Sequence, residues 1–129
     1  MFEPLLAAGG VRAAVADPAW VRALLDAEAA LARAHARAGV ISAAQADAIA
    51  GACATLTVDP AELGAEAVGS GNPVVPLVRL LRAAVDPAAA RQVHRGATSQ
   101  DIMDSAAMLV AHRASGEHGA RPYAGAVRK

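Results

Sequence analysis

The residues of this chain best suited to chemistry gather between His94 and Asp101, in the run HRGATSQD. An unperturbed imidazole titrates at about pH 6.5, so His94 is the side chain here most able to exchange a proton near neutrality. Thr98, Ser99 and Gln100 follow at a helix start. There the first backbone N–H groups lack intrahelical partners, and the positive end of the helix dipole favours an anion. A proton donor beside a carboxylate cradle makes a catalytic half-site. Gly96 and Ala97 leave the backbone open to close approach, and Arg91 and Arg95 add positive charge suited to a small polyanion. The same spacing also describes an ordinary capped helix behind a surface histidine, and spacing alone leaves both readings open.

Asn72 stands between a Gly-Ser-Gly turn and Pro73, where a fixed backbone could present its amide to a substrate; a plain turn is the other reading. His35, His112 and His118 have no acid or second ligand at useful spacing and read as surface residues, with His112 placed to meet the last turn of its helix. Arg79 and Arg82 read as the solvated face of theirs. The single cysteine, Cys53, has no partner for a disulfide and no neighbouring ligands for structural zinc, so it reads as a small buried apolar side chain. No metal site is expected.

Helices must position these groups. Hydrophobic residues make up 55% of the 129 and aromatics 2%, with alanine dominant, a composition that suits close helix packing and lacks what strands require. The fold class is all-α, and the length allows one domain or part of one. Asp17-Pro18 is the first start signal, and Trp20, Leu24, Ala27, Leu31 and Ala34 then recur at helical spacing until Gly39 stops the run. Ser42 with Gln45 forms a capping box for a helix through Ile49 and Cys53, and Asp59-Pro60 repeats the start signal. Pro76 is compatible only with a helix's first turn, which places the next start near Pro73. Asp86-Pro87 opens another short stretch towards Val93, and Thr98 and Asp101 make a capping box, with either Thr98 or Ser99 as the cap, for a helix expected to end about Ala114. Beyond it, SGEHGARPYAGAVRK reads as a disordered or aberrant tail over 115–129.

Twelve basic residues balance twelve acidic ones without a stripe of one sign, which argues against nucleic acid as a partner. The N-terminus has an acid at Glu3 before any base and no sustained apolar run, and no segment suits a membrane span. A cytoplasmic location is expected.

The segments GSGNPVVPLVRLL and VHRGATSQDIMDSAAML resemble the first signature regions of the fumarase/aspartase superfamily. The closest likeness is to its 3-carboxy-cis,cis-muconate cycloisomerase branch, and WVRALLDAEAALARAHARAGVIS is similar to the same branch. The resemblance covers about residues 1–114. It implies that residues 1–97 form the N-terminal helical domain of that fold and that 98–114 begin its central helical bundle. It also implies a homotetramer with shared active sites, no metal or organic cofactor, and a small polycarboxylate substrate. On this reading His94 meets substrate or assists proton transfer, Thr98, Ser99 and Gln100 bind its carboxylates, Asn72 lines the pocket, and Asp101 organises the cap. The reaction implied is lactonisation of 3-carboxymuconate in the protocatechuate and β-ketoadipate route.

Arg95 stands where the family commonly has an aromatic or apolar residue. The family's second histidine region and its GSSxMPxKxNP loop, which bears the catalytic serine, are not found in the 129 residues, so little or no activity is expected from this chain alone. Adenylosuccinate lyase, with a similar HxGxTSxD element, and a non-catalytic helical module that binds a carboxylate or docks on a related tetramer are the alternatives.

Overall fold

The computed structural model describes residues 10–119, and every regular element among them is an α-helix. In chain order these are α1 (Val11–Ala14), α2 (Asp17–Arg37), α3 (Ala43–Thr55), α4 (Pro60–Ala67), α5 (Val74–Ala83), α6 (Pro87–Ala90) and α7 (Ser99–Gly119). None of them is long and apolar enough to cross a membrane.

Most boundaries follow from local chemistry. The Gln45 N–H donates to Ser42 Oγ at 3.2 Å while the Ser42 N–H donates to Gln45 Oε1 at 2.9 Å, so two end groups of α3 satisfy each other. Asp59 accepts the Ala61 N–H at 2.8 Å, and Asp86 accepts those of Ala88 and Ala89 at 2.8 and 3.1 Å, each ahead of a proline that has no N–H to satisfy. α2 ends in a Schellman arrangement. Gly39 takes φ +71°, its N–H donates to the Ala36 carbonyl at 3.0 Å, and the Val40 N–H donates to His35 at 2.9 Å.

Two boundaries differ from the sequence reading. The cap of α2 is the extended Ala16, with no side-chain hydrogen bond, and Asp17 lies inside the first turn, where its charge still complements the helix dipole. α7 does not end at Ala114 but runs on to Gly119, so Ser115 begins no irregular tail. No proline interrupts Ser115–Gly119, and a helix already nucleated extends through indifferent residues at small cost. The remainder of the expected tail lies outside the described residues.

α2 is the axis of the packing, with α3 and α7 laid along it and α4 against it. Its alanines at 23, 27, 29 and 32 are buried, which lets neighbouring backbones approach closely. Leu24 and Ala27 of the expected stripe are buried, Trp20 and Leu31 are half-buried against the core, and Ala34 is exposed. The buried set instead widens to Ala23, Leu25, Glu28, Ala29 and Ala32, because α2 has helices on more than one side. α5 contributes Val74, Leu77, Val78 and Leu81, and α7 contributes Ile102, Ala106 and Val110. Each fully buried leucine or isoleucine adds up to about 1.5–3 kcal/mol.

Candidate functional site

The segment from Arg91 to Thr98 links α6 to α7, and its course is set by a buried residue and two left-handed ones. Val93 is in the core, while His94 at φ +61° and Gly96 at φ +69° reverse the chain. Among the described residues His94 alone takes a positive φ without being glycine. That conformation costs an L-residue roughly 1–2 kcal/mol, so contacts elsewhere must hold it.

The contact that holds it comes from the middle of α2. His94 Nδ1 lies 2.6 Å from Glu28 Oε1, with the histidine side chain 15% exposed and the glutamate 1%. Burial pushes the Glu28 carboxyl above its ordinary range; the hydrogen bond and charge of His94, and then the charge of Arg82, pull the other way. The second carboxylate oxygen, Oε2, is buried without a hydrogen-bond partner. On α5, Arg82 donates to the Val93 carbonyl at 3.2 Å and so ties that helix to the segment bearing His94.

His94 opens onto a groove of about 400 Å³. Val74, Val75, Val78, Arg79 and Arg82 of α5 form one wall, and His94 with Ser99, the first residue of α7, forms the other. Arg79 is also paired with Glu66. A second hollow, of about 360 Å³, lies between Trp20, Leu24, Leu63 and Met103 and is mainly apolar, with Asp17 its charged lining residue. The groove at His94 is the better candidate, since it joins a proton-exchanging ring, a hydroxyl, two guanidinium groups and a helix start.

The structure brings His94 and Ser99 together and gives the other expected site residues local partners. The Thr98 N–H and hydroxyl donate to Asp101 Oδ2 at 2.7 and 2.9 Å, and the Asp101 N–H returns a bond to Thr98 Oγ1 at 3.3 Å. Those two Thr98 donors hold the Asp101 carboxyl below its ordinary value. Gln100 Nε2 donates to Asp104 at 2.6 Å on the exposed side of α7. Asn72 Oδ1 accepts the Val74 N–H at 2.8 Å, so its acceptor end caps α5 two residues from the groove wall. Arg95 binds Gln92 at 2.6 Å.

Two groups at the site escaped the sequence reading. Arg82 was legible in principle, because Val75, Val78, Arg79 and Arg82 fall at helical spacing on one face of α5. Glu28 gave no such signal, since its partner lies 66 positions away. His35, read as a surface residue, is half-buried with its Nδ1 enclosed and unbonded, whereas His112 is exposed as expected. The His118 side chain lies outside the described ones. Among the described residues no three His, Cys, Asp or Glu side chains converge to hold a metal.

No family model matches the chain. It is 46% identical over 117 residues to nitrosuccinate lyase of Streptomyces davaonensis, a match covering 88% of this chain and 25% of that protein. It is 48% identical over 112 residues to 3-carboxy-cis,cis-muconate cycloisomerase of Bradyrhizobium diazoefficiens, covering 84% and 25% respectively. The corresponding protein of Pseudomonas aeruginosa is 43% identical over 117 residues, covering 88% and 26%. In three dimensions the chain is similar to fumarate lyase from Mesorhizobium sp. BNC1, with a TM-score of 0.75 and 34% identity over 80% of this chain and 24% of that one. The chain thus spans about a quarter of the length of the curated relatives it matches.

Proposed function

Since this chain belongs to the fumarase/aspartase superfamily, we propose that its groove is one contribution to a composite active site that closes 3-carboxymuconate to a lactone. The observation that carries this reading is the meeting of His94, Ser99 and Arg82 across the groove at the start of α7. In the reaction a substrate carboxylate oxygen forms a C–O bond to one end of a C=C bond, and a proton is added to the other end. Negative charge builds on the carboxylate beside the carbon that is protonated. The Arg82 guanidinium, the Ser99 hydroxyl and the first N–H groups of α7 are fixed donors for that charge, and donors already in place need no reorganisation as it develops. His94 is the group for proton exchange. Thr98 holds the helix start in register, while Gln100, next to Ser99 in the chain, and Asn72 keep their local partners Asp104 and Val74.

The reading carries with it a homotetramer, a cytoplasmic location, operation without cofactor, and a place in aromatic-compound catabolism. Residues 1–97 are then the N-terminal helical domain and 98–114 the opening of the central bundle. The reaction also uses groups supplied from outside these residues, so the isolated chain is expected to bind substrate without turning it over.

The 46% identity to nitrosuccinate lyase favours one second reading, bond cleavage in nitrosuccinate at the same groove. Both substrates are polycarboxylates, and both need charge stabilised on a carboxylate next to the reacting carbon. A chimera separates the readings: the matched segment of the Bradyrhizobium relative is replaced by this chain, and both substrates are offered. Loss of the muconate absorbance is expected, together with a fall of about 10²-fold or more in the His94→Ala chimera. A chimera that consumes nitrosuccinate alone would replace the first reading with the second.

A further inference from the structure

We infer that Glu28 is a positioning residue that fixes the proton tautomer of His94, committing Nδ1–H to the interior and leaving Nε2 as the atom that exchanges protons with the groove. The inference deepens the proposed reading of the groove and rests on it for the identity of what Nε2 meets.

Glu28 is the one fully buried charged side chain among the described residues, on a helix whose other buried positions are alanine and leucine. Removing a carboxylate from water is costly unless a partner compensates, so packing alone would favour an apolar residue at this position. Its partner is His94 Nδ1 at 2.6 Å. An ionised carboxylate only accepts hydrogen bonds, and a neutral imidazole protonated on Nε2 would turn the Nδ1 lone pair towards it. Two lone pairs do not share a contact that short. Nδ1 must therefore carry the hydrogen while the pair holds a single proton, and Nε2 is then an acceptor towards the groove. A second proton enters at Nε2 and makes it a donor, with the bond to Glu28 intact. The ring alternates between the two states without turning.

The surroundings favour this use of the pair. Arg82 of α5 supplies positive charge near Glu28, and Cys53 of α3, packed nearby, remains a neutral thiol because burial and the Glu28 charge push it up to about 11. The left-handed backbone at His94 is strain of the kind retained where a side chain must be aimed.

The test uses the 129-residue chain with ¹⁵N in its histidine rings, and the His94 signals are assigned by their loss in His94→Gln. At about pH 9, well above the titration of an ordinary imidazole, long-range ¹H–¹⁵N correlation should show Nδ1 protonated and Nε2 bare, the reverse of the tautomer that predominates in free histidine. In Glu28→Leu the pattern should revert to Nε2–H. An Nε2–H tautomer in the unaltered chain, or an unchanged pattern in folded Glu28→Leu, would overturn the inference; the first of these measurements does not require the variant to fold. The outcome is separable from the substrate reading. An Nδ1–H tautomer with an inert chimera sinks the substrate and leaves the pair, whereas an active chimera with an Nε2–H tautomer does the opposite.

Discussion

The two long helices have 21 residues each and use them differently. α2 is enclosed around much of its circumference and buries Ala23, Leu24, Leu25, Ala27, Glu28, Ala29 and Ala32. α7 buries Ile102, Ala106 and Val110, one narrow stripe at intervals of four, and leaves Met108 70% exposed. Their carboxylates differ in the same sense. Glu28 sits inside α2 with its pKa raised by burial, and Asp101 sits in the open first turn of α7 with its pKa lowered by two Thr98 donors. Packing on more than one side lets α2 hold a charge where water cannot reach it. A helix with a free end offers its terminal N–H groups instead, and the groove lies where the two contributions meet.

The contrast breaks most visibly in the core of α2. Leu25→Ala should cost about 2–5 kcal/mol in urea unfolding, because the surrounding helices can collapse only partly into the space. Glu28→Ala comes next at about 1–3 kcal/mol, since it strands the enclosed imidazole nitrogen. Glu28→Gln sharpens the same point through pH. A carboxyl whose folded pKa is raised contributes stability that is complete below its unfolded value, near 4.5, and is lost as pH rises through the folded one. That decline should disappear from the urea midpoints of Glu28→Gln. Asp101 has the opposite sign. Its contribution is present above its unfolded value, near 3.8, and is lost as pH falls through the lowered folded one, so Asp101→Asn should flatten the acid limb of the same plot. Thr98→Ala, which removes the cap of α7, should cost about 1 kcal/mol. Met108→Ala is the smallest change, within about 0.5 kcal/mol by the same urea measurement on the isolated chain.

What the sequence made legible was local. Ser42 and Gln45 are three residues apart, Asp59 and Asp86 each precede a proline, and Gly39 ends a run; such signals act over one turn and survive any tertiary arrangement. The cap from Thr98 to Asp101 was readable for the same reason. The length of α7 was misjudged because Ser and Gly weaken a helix without stopping one. Glu28 looked like any polar residue between helical turns, because the value of a buried carboxylate depends on a histidine brought to it by four intervening helices and their turns. Arg82 was read as solvated for a related reason: a charged face turned to water and one turned to a groove have the same pattern.

Cys53 carries a consequence of a different kind. Its thiol is fully enclosed, and burial together with the Glu28 charge keeps it protonated well above neutrality. Alkylating reagents attack thiolates, so this side chain stays silent while α3 remains seated on α2. It is therefore a built-in stopwatch: the rate at which it is alkylated in native buffer times how often the helices part, with no label added and no residue changed.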